Sequence, residues 1–157
     1  MGPAARTPLP HAVRPATAED DWIRGLTVRQ PWATAILTGR KTIENRPRPW
    51  RPGWFLLHAG KGLDRPALND PLVDRAIRGH DLTAGAVLGV VRITATHQDP
   101  AGAPPCTPWA LPNMAHLELA DVQALTTPIP ARGQLGPWRP TQDLLDQVLR
   151  QLPHLRP

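Results

Sequence analysis

The 157-residue chain contains no serine and no tyrosine, a single phenylalanine, a single cysteine and only two lysines. Each scarcity removes a class of chemistry. Without serine there is no serine nucleophile and no serine-based triad. The lone Cys106 excludes an internal disulfide and a zinc site built on cysteines. It sits in the Pro-rich run APPCTPW with no histidine beside it in the sequence, and reads as a loop thiol. The six histidines (11, 58, 80, 97, 116 and 154) are far apart and lack metal-ligand spacing, so no metal is expected. Gly-rich phosphate loops, the GxSxG elbow and HExxH are all missing, and no cofactor is expected. No apolar run approaches the ~20 residues of a membrane span, and the N-terminus has no apolar signal core. The expectation is a cytoplasmic protein without membrane contact. Aromatic contacts fall almost entirely to Trp22, Trp32, Trp50, Trp54, Trp109 and Trp138.

What is present is arginine, proline and positive charge. The formal net charge is +5 and the pI near 10.9, which suits a polyanionic partner. The charge is concentrated. Between Arg24 and Arg51 seven basic residues face one acid, Glu44, a net +6 that leaves −1 for the rest. Sixteen of the eighteen basic residues are Arg, so a Lys retained in this stretch, Lys41, is informative. An ammonium changes its pKa on burial, whereas a guanidinium stays charged.

Residues 1–21 are rich in Pro and Ala without apolar periodicity and read as a mobile arm. Residues 22–157 read as one domain. Leu26-Thr27-Val28 is a first strand. Pro31 to Thr38 is a short helix, with Pro in its first turn and Gly39 just past its end. Lys41 to Asn45 is a second strand, stopped by Pro47 and Pro49. Gly53 to Ala59 is a hydrophobic strand, interrupted only by His58 and too continuous for an exposed edge. Helical spacing over 64–78 is broken at Pro71. Ala86 to Thr96 is the longest strand, with Gly89 marking a bulge or a close backbone approach. Residues 97–112 form a Pro-rich loop, 114–125 one or two strands, and TTPIPARGQLGPWRP an extended, turn-rich segment. A final helix spans 141–152, capped by Thr141. This pattern predicts a mixed α+β fold, a small β-barrel of five to six strands with two to four short helices.

The helix start at Gln30-Pro31, beside Arg29, offers N–H groups to an anion or is simply a strand-to-helix connection. Lys41 and Glu44 converge if the strand twists. A Lys–Glu pair in a partly closed site serves acid–base chemistry or a structural ion pair, and the sequence leaves both open. Trp32 stacks a base or joins the core, and Arg29, Arg46, Arg48 and Arg51 contact phosphates or water.

The stretch LTVRQPWATAILTGRKTIENR resembles the opening of ASCH domains, with the QPWA helix start at 30–33 and the GxKxxExR motif at 39–46. Weaker similarity continues through GWFLLHAGKG, GAVLGVVRITAT and HLELADVQALTTPIPARGQLGPW, so it covers about residues 24–139. The resemblance implies a PUA-like barrel with an RNA- or DNA-binding cleft beside the first helix. The candidate nucleic-acid contacts in such a cleft are Arg29, Gln30, Trp32, Lys41, Glu44, Asn45, Arg46 and His58. Some ASCH-like proteins are enzymes, amidohydrolases acting on acylated cytidine or members with nuclease activity, which makes Lys41 and Glu44 catalytic candidates. In the amidohydrolase branch the position of Glu44 holds Thr, and QPWA is missing. The expected partners are therefore RNA, DNA or a nucleotide or nucleoside, with nucleic-acid binding the first reading, hydrolysis of a modified nucleoside or RNA the second, and a protein-interaction module using the loop near Trp109 the third.

Overall fold

Alternation of buried and half-exposed residues carries β1 from Ile23 to Gln30, longer at both ends than the expected core of the strand. β1 pairs in parallel with β3 (Gly53–Leu63), setting Leu26 opposite Leu57. β3 runs antiparallel to β4 (Ala86–His97), β4 to β5 (Ala115–Pro130), and β5 to the short β2 (Ile43–Arg46). The strand order is β1-β3-β4-β5-β2. The computed structural model describes residues 21–157, so all of the expected arm except Asp21 lies outside the described residues.

The continuous apolar run in β3 has a direct cause: both faces of the sheet are covered. Leu57 packs with Leu26, Val28 and Ile36 beneath α1 (Trp32–Leu37). Leu56 faces the other way, toward Val87, Val90, Leu144 and Val148 beneath α3 (Gln142–Gln151). Each such side chain contributes about 1.5–3 kcal/mol when fully buried. Thr141 caps α3 by accepting from Leu144 N at 3.1 Å. The break expected at Pro71 separates a 3-10 turn (Pro66–Asn69) from α2 (Pro71–Ile77), whose N-cap Asp70 accepts from Leu72 N at 2.9 Å. At Gly89 the β3–β4 and β4–β5 registers both shift, and a Cβ would lie 2.4 Å from the Gln123 carbonyl oxygen. Among the described residues no helix is long and apolar enough to cross a membrane.

Three expectations need correction. The five strands do not close into a barrel: β1 and β2 are the two ends of one open sheet. β2 is only four residues long and is cut by Pro47, so too little backbone remains to pair with β1. Lys41 and Thr42 precede β2 instead of belonging to it. Residues 115–130, expected as one or two strands ending near Leu125 and then an extended, turn-rich segment, are one sixteen-residue strand, Ala115–Pro130.

Candidate functional site

The unclosed seam between β1 and β2 is a cavity of about 540 Å³. Its base carries two ionisable side chains that the chain turn after α1 buries. Lys41 is 3% exposed and Glu44 7% exposed, with Lys41 Nζ 3.6 Å from Glu44 Oε1. Lys41 N donates to Ala35 O at 2.9 Å, which tucks the side chain under the helix instead of along a strand face. Its ammonium also donates to the Ile43 carbonyl and lies 5.9 Å from the Trp32 ring centroid. Burial pushes the Lys41 pKa down, and the nearby Glu44 carboxylate only partly restores it.

Glu44 Oε1 accepts from Asn45 N at 2.8 Å. Glu44 Oε2 is sealed from solvent and has no hydrogen-bond partner among the described residues, with Arg46 Nη2 3.7 Å away. Arg46 spans the seam: the same Nη2 donates to Thr27 O on β1 at 2.9 Å, and its guanidinium lies 5.1 Å from the Trp50 ring. A side chain thus makes the link that backbone pairing would make in a closed barrel.

Two tryptophans form the walls. Trp32 and Trp109 stand nearly perpendicular with centroids 6.5 Å apart. Trp32 Nε1 donates to Asp64 at 3.1 Å, which orients its indole. Trp109 sits on the 98–114 loop, and Asn45 holds that loop with both ends of its amide: Nδ2 donates to Trp109 O, and Oδ1 accepts from Leu111 N, each at 2.9 Å. Gln30 is likewise committed internally, accepting from Thr34 N at 3.0 Å and donating to Thr83 O at 2.8 Å. Arg29 is largely exposed at the rim.

A second cavity, of about 520 Å³, adjoins the first and shares Thr27, Arg29 and Arg46 with it. Lys61 and Arg132 add two exposed cations there. His58 lies beneath this second cavity, 1% exposed, with Nε2 donating to Ala131 O at 2.7 Å and Nδ1 accepting from Thr27 Oγ1 at 3.2 Å. Burial lowers its pKa from 6.5. Gly133 is required beside it, since a Cβ would fall 2.7 Å from the imidazole.

Folding therefore brings together Arg29, Trp32, Lys41, Glu44, Asn45 and Arg46, and sets Gln30 and His58 below the surface. Arg48 is exposed away from both cavities, and Arg51 lines a separate recess with Asp21 and Arg24. Sequence reasoning left out Lys61, Asp64 and Arg132 as site residues. The one available signal was that Lys61 is the only other lysine.

The ASCH domain model matches residues 26–128. The chain belongs to the ASCH domain family. No curated protein shows a significant match to it. The match starts in β1, includes every residue of the first cavity and ends in β5 of this ASCH domain. It stops short of Arg132 in the second cavity and of α3, and thus short of the RGQLGPW segment in which the sequence resemblance was expected to continue.

Proposed function

We propose that this ASCH domain binds single-stranded nucleic acid, RNA by the character of its family, with one unstacked base in the β1–β2 seam and the backbone crossing Arg29 and Arg46 toward Lys61 and Arg132. The supporting observation is the pair of adjoining cavities that share Thr27, Arg29 and Arg46, one walled by tryptophans and the other by cations. A base stacked on an indole is worth ~1–3 kcal/mol. Glu44 lines this cavity with an unpartnered buried Oε2, and a side-chain rotation that opened it to an amino or imino N–H of the base would fill an acceptor that is costly to leave unpaired. Gln30 and Asn45 act as positioning residues, because their amides already hold α1 and the Trp109 loop. His58 supports the second cavity from below.

Titration of labelled RNA and DNA oligonucleotides across a salt series tests this. Binding is expected to weaken with a log–log slope of about −0.7 per phosphate contacted. Trp109→Ala should weaken it roughly 5- to 150-fold. The absence of salt-sensitive binding to either polymer at low ionic strength overturns the proposal.

A second reading, hydrolysis of a modified nucleoside or of RNA, draws on one specific observation. Lys41 is buried at the base of a cavity with its pKa lowered, as a general base at neutral pH requires. Acylated nucleosides and single-stranded RNA are the substrates to assay. Turnover that survives Lys41→Ala removes this mechanism.

A further inference from the structure

His97, the last residue of β4, lies directly opposite His116 of β5 in the strand register, and their rings are 5.2 Å apart. The loop between them returns Asp99 and Cys106 to the same spot. One donor atom from each of the four residues lies within 4.8 Å of every other. His97 Nε2 is 3.1 Å from Asp99 Oδ1, His116 Nδ1 is 3.6 Å from Asp99 Oδ2, and Cys106 Sγ is 3.7 Å from His116 Nδ1. In a tetrahedral zinc site, bonds of about 2.0–2.3 Å place ligand atoms about 3.3–3.6 Å apart. The four donors, all within 4.8 Å of one another, reach that spacing by small side-chain shifts that bring a single Asp99 oxygen to both imidazoles. The spacing that argued against a metal belongs to the linear sequence; the β4–β5 register removes the separation.

The outer nitrogens of both imidazoles are already engaged as metal-ligating histidines require. His116 Nε2 donates to Leu111 O at 2.6 Å, which leaves Nδ1 with its lone pair facing Cys106 and Asp99. His97 Nδ1 faces Glu118 Oε2 at 3.2 Å, which leaves Nε2 facing Asp99. A cysteine nucleophile relay is the competing arrangement, and the geometry disfavours it. Such a relay uses one imidazole nitrogen for the thiol and the other for the carboxylate, whereas here Nδ1 of His116 faces both.

We infer that His97, Asp99, Cys106 and His116 form a closed, structural zinc site that clamps the 98–114 loop to the ends of β4 and β5. Two nitrogens, one oxygen and one thiolate suit zinc among the divalent cations. Four protein ligands leave no open position, so the ion holds structure instead of activating water. The clamp reaches the cleft through His116, whose outer nitrogen holds Leu111, while Leu111 N and Trp109 O are held by Asn45. The inference does not depend on the nucleic-acid reading, because metal content is measured without nucleic acid.

The test uses the full chain, stripped by chelator and titrated with zinc and, as a spectroscopic probe, cobalt(II). Expected are one ion per chain, tetrahedral cobalt bands with a thiolate-to-cobalt charge-transfer band, and slower hydrogen exchange at the Leu111 amide in the zinc form. Cys106 is exposed, so Cys106→Ser leaves the fold intact and should abolish the charge-transfer band. Asp99→Asn should weaken zinc binding at least tenfold. His97→Ala, checked by circular dichroism, gives an independent reading from the strand side. Sub-stoichiometric binding overturns the inference. Cobalt binding without the thiolate band, zinc affinity undiminished in both Cys106→Ser and Asp99→Asn, or unchanged exchange at Leu111 each do so as well.

Discussion

Lys41 is a cation held where its type rarely sits, buried at the base of a cavity. Its depressed pKa means that the folded protein releases the ammonium proton before the unfolded chain does, at 10.5. Below the folded-state pKa both states are charged and the burial cost is fully present; as pH rises from there toward 10.5 the cost disappears, so the native state gains stability. Denaturant unfolding of wild type and Lys41→Met across the alkaline range should therefore diverge, with wild type gaining relative to the variant. Parallel curves would contradict the assignment. His58 obeys the same rule at lower pH. Its neutral form is fully hydrogen-bonded, and its contribution is present above 6.5 and lost as pH falls through its lowered folded-state value. NMR titration should find an Nε2–H tautomer with a midpoint below 6.5; a midpoint at or above 6.5 would refute this.

Elements in this fold are held by local chemistry that can be removed one piece at a time. Thr141→Ala deletes the acceptor for Leu144 N and should lower stability by about 1 kcal/mol in equilibrium unfolding. An unchanged midpoint would mean that packing of Leu144, Leu145 and Val148 alone fixes α3. Gly89→Ala is expected to be worse. Its Cβ would meet backbone, the Gln123 carbonyl, and also the Leu37 side chain. Overpacking of this kind costs roughly 1–3 kcal/mol, read as a fall in the denaturant midpoint. A neutral outcome would show that the β4–β5 bulge yields easily.

At the scale of the whole molecule, the basic stretch of the sequence and the basic surface of the fold are not the same set. Arg24 turns to Asp21, 2.5 Å away, and Arg40 and Arg48 are exposed outside the two cavities, while Lys61 and Arg132 arrive from β3 and from beyond β5. Paired substitutions separate the two sets. Lys61→Ala with Arg132→Ala should reduce the salt slope of oligonucleotide binding by about 1.4, at about 0.7 per phosphate. Arg40→Ala with Arg48→Ala should leave it unchanged. Equal effects from both pairs would mean that net charge, not the groove, governs binding.

The sequence by itself determined most of the local elements and pointed to the stretch that lines the candidate cleft. Pro31, Gly39, Pro71 and Thr141 punctuate helices where capping chemistry requires, the hydrophobic run in β3 announces a strand away from an exposed edge, and QPWA with GxKxxExR supplies residues that line the candidate cleft. Those signals are local, because they depend on backbone freedom and on periods of two or 3.6 residues. Whether the sheet closes was decided only in three dimensions, since closure depends on pairing between β1 and β2, and Arg46 takes the acceptor on Thr27 instead. The approach of Lys41 to Glu44, the joining of Lys61 and Arg132 to the groove, and the meeting of His97 with His116 were decided there too. Each joins residues by strand register or chain turns, and a linear reading carries no measure of either.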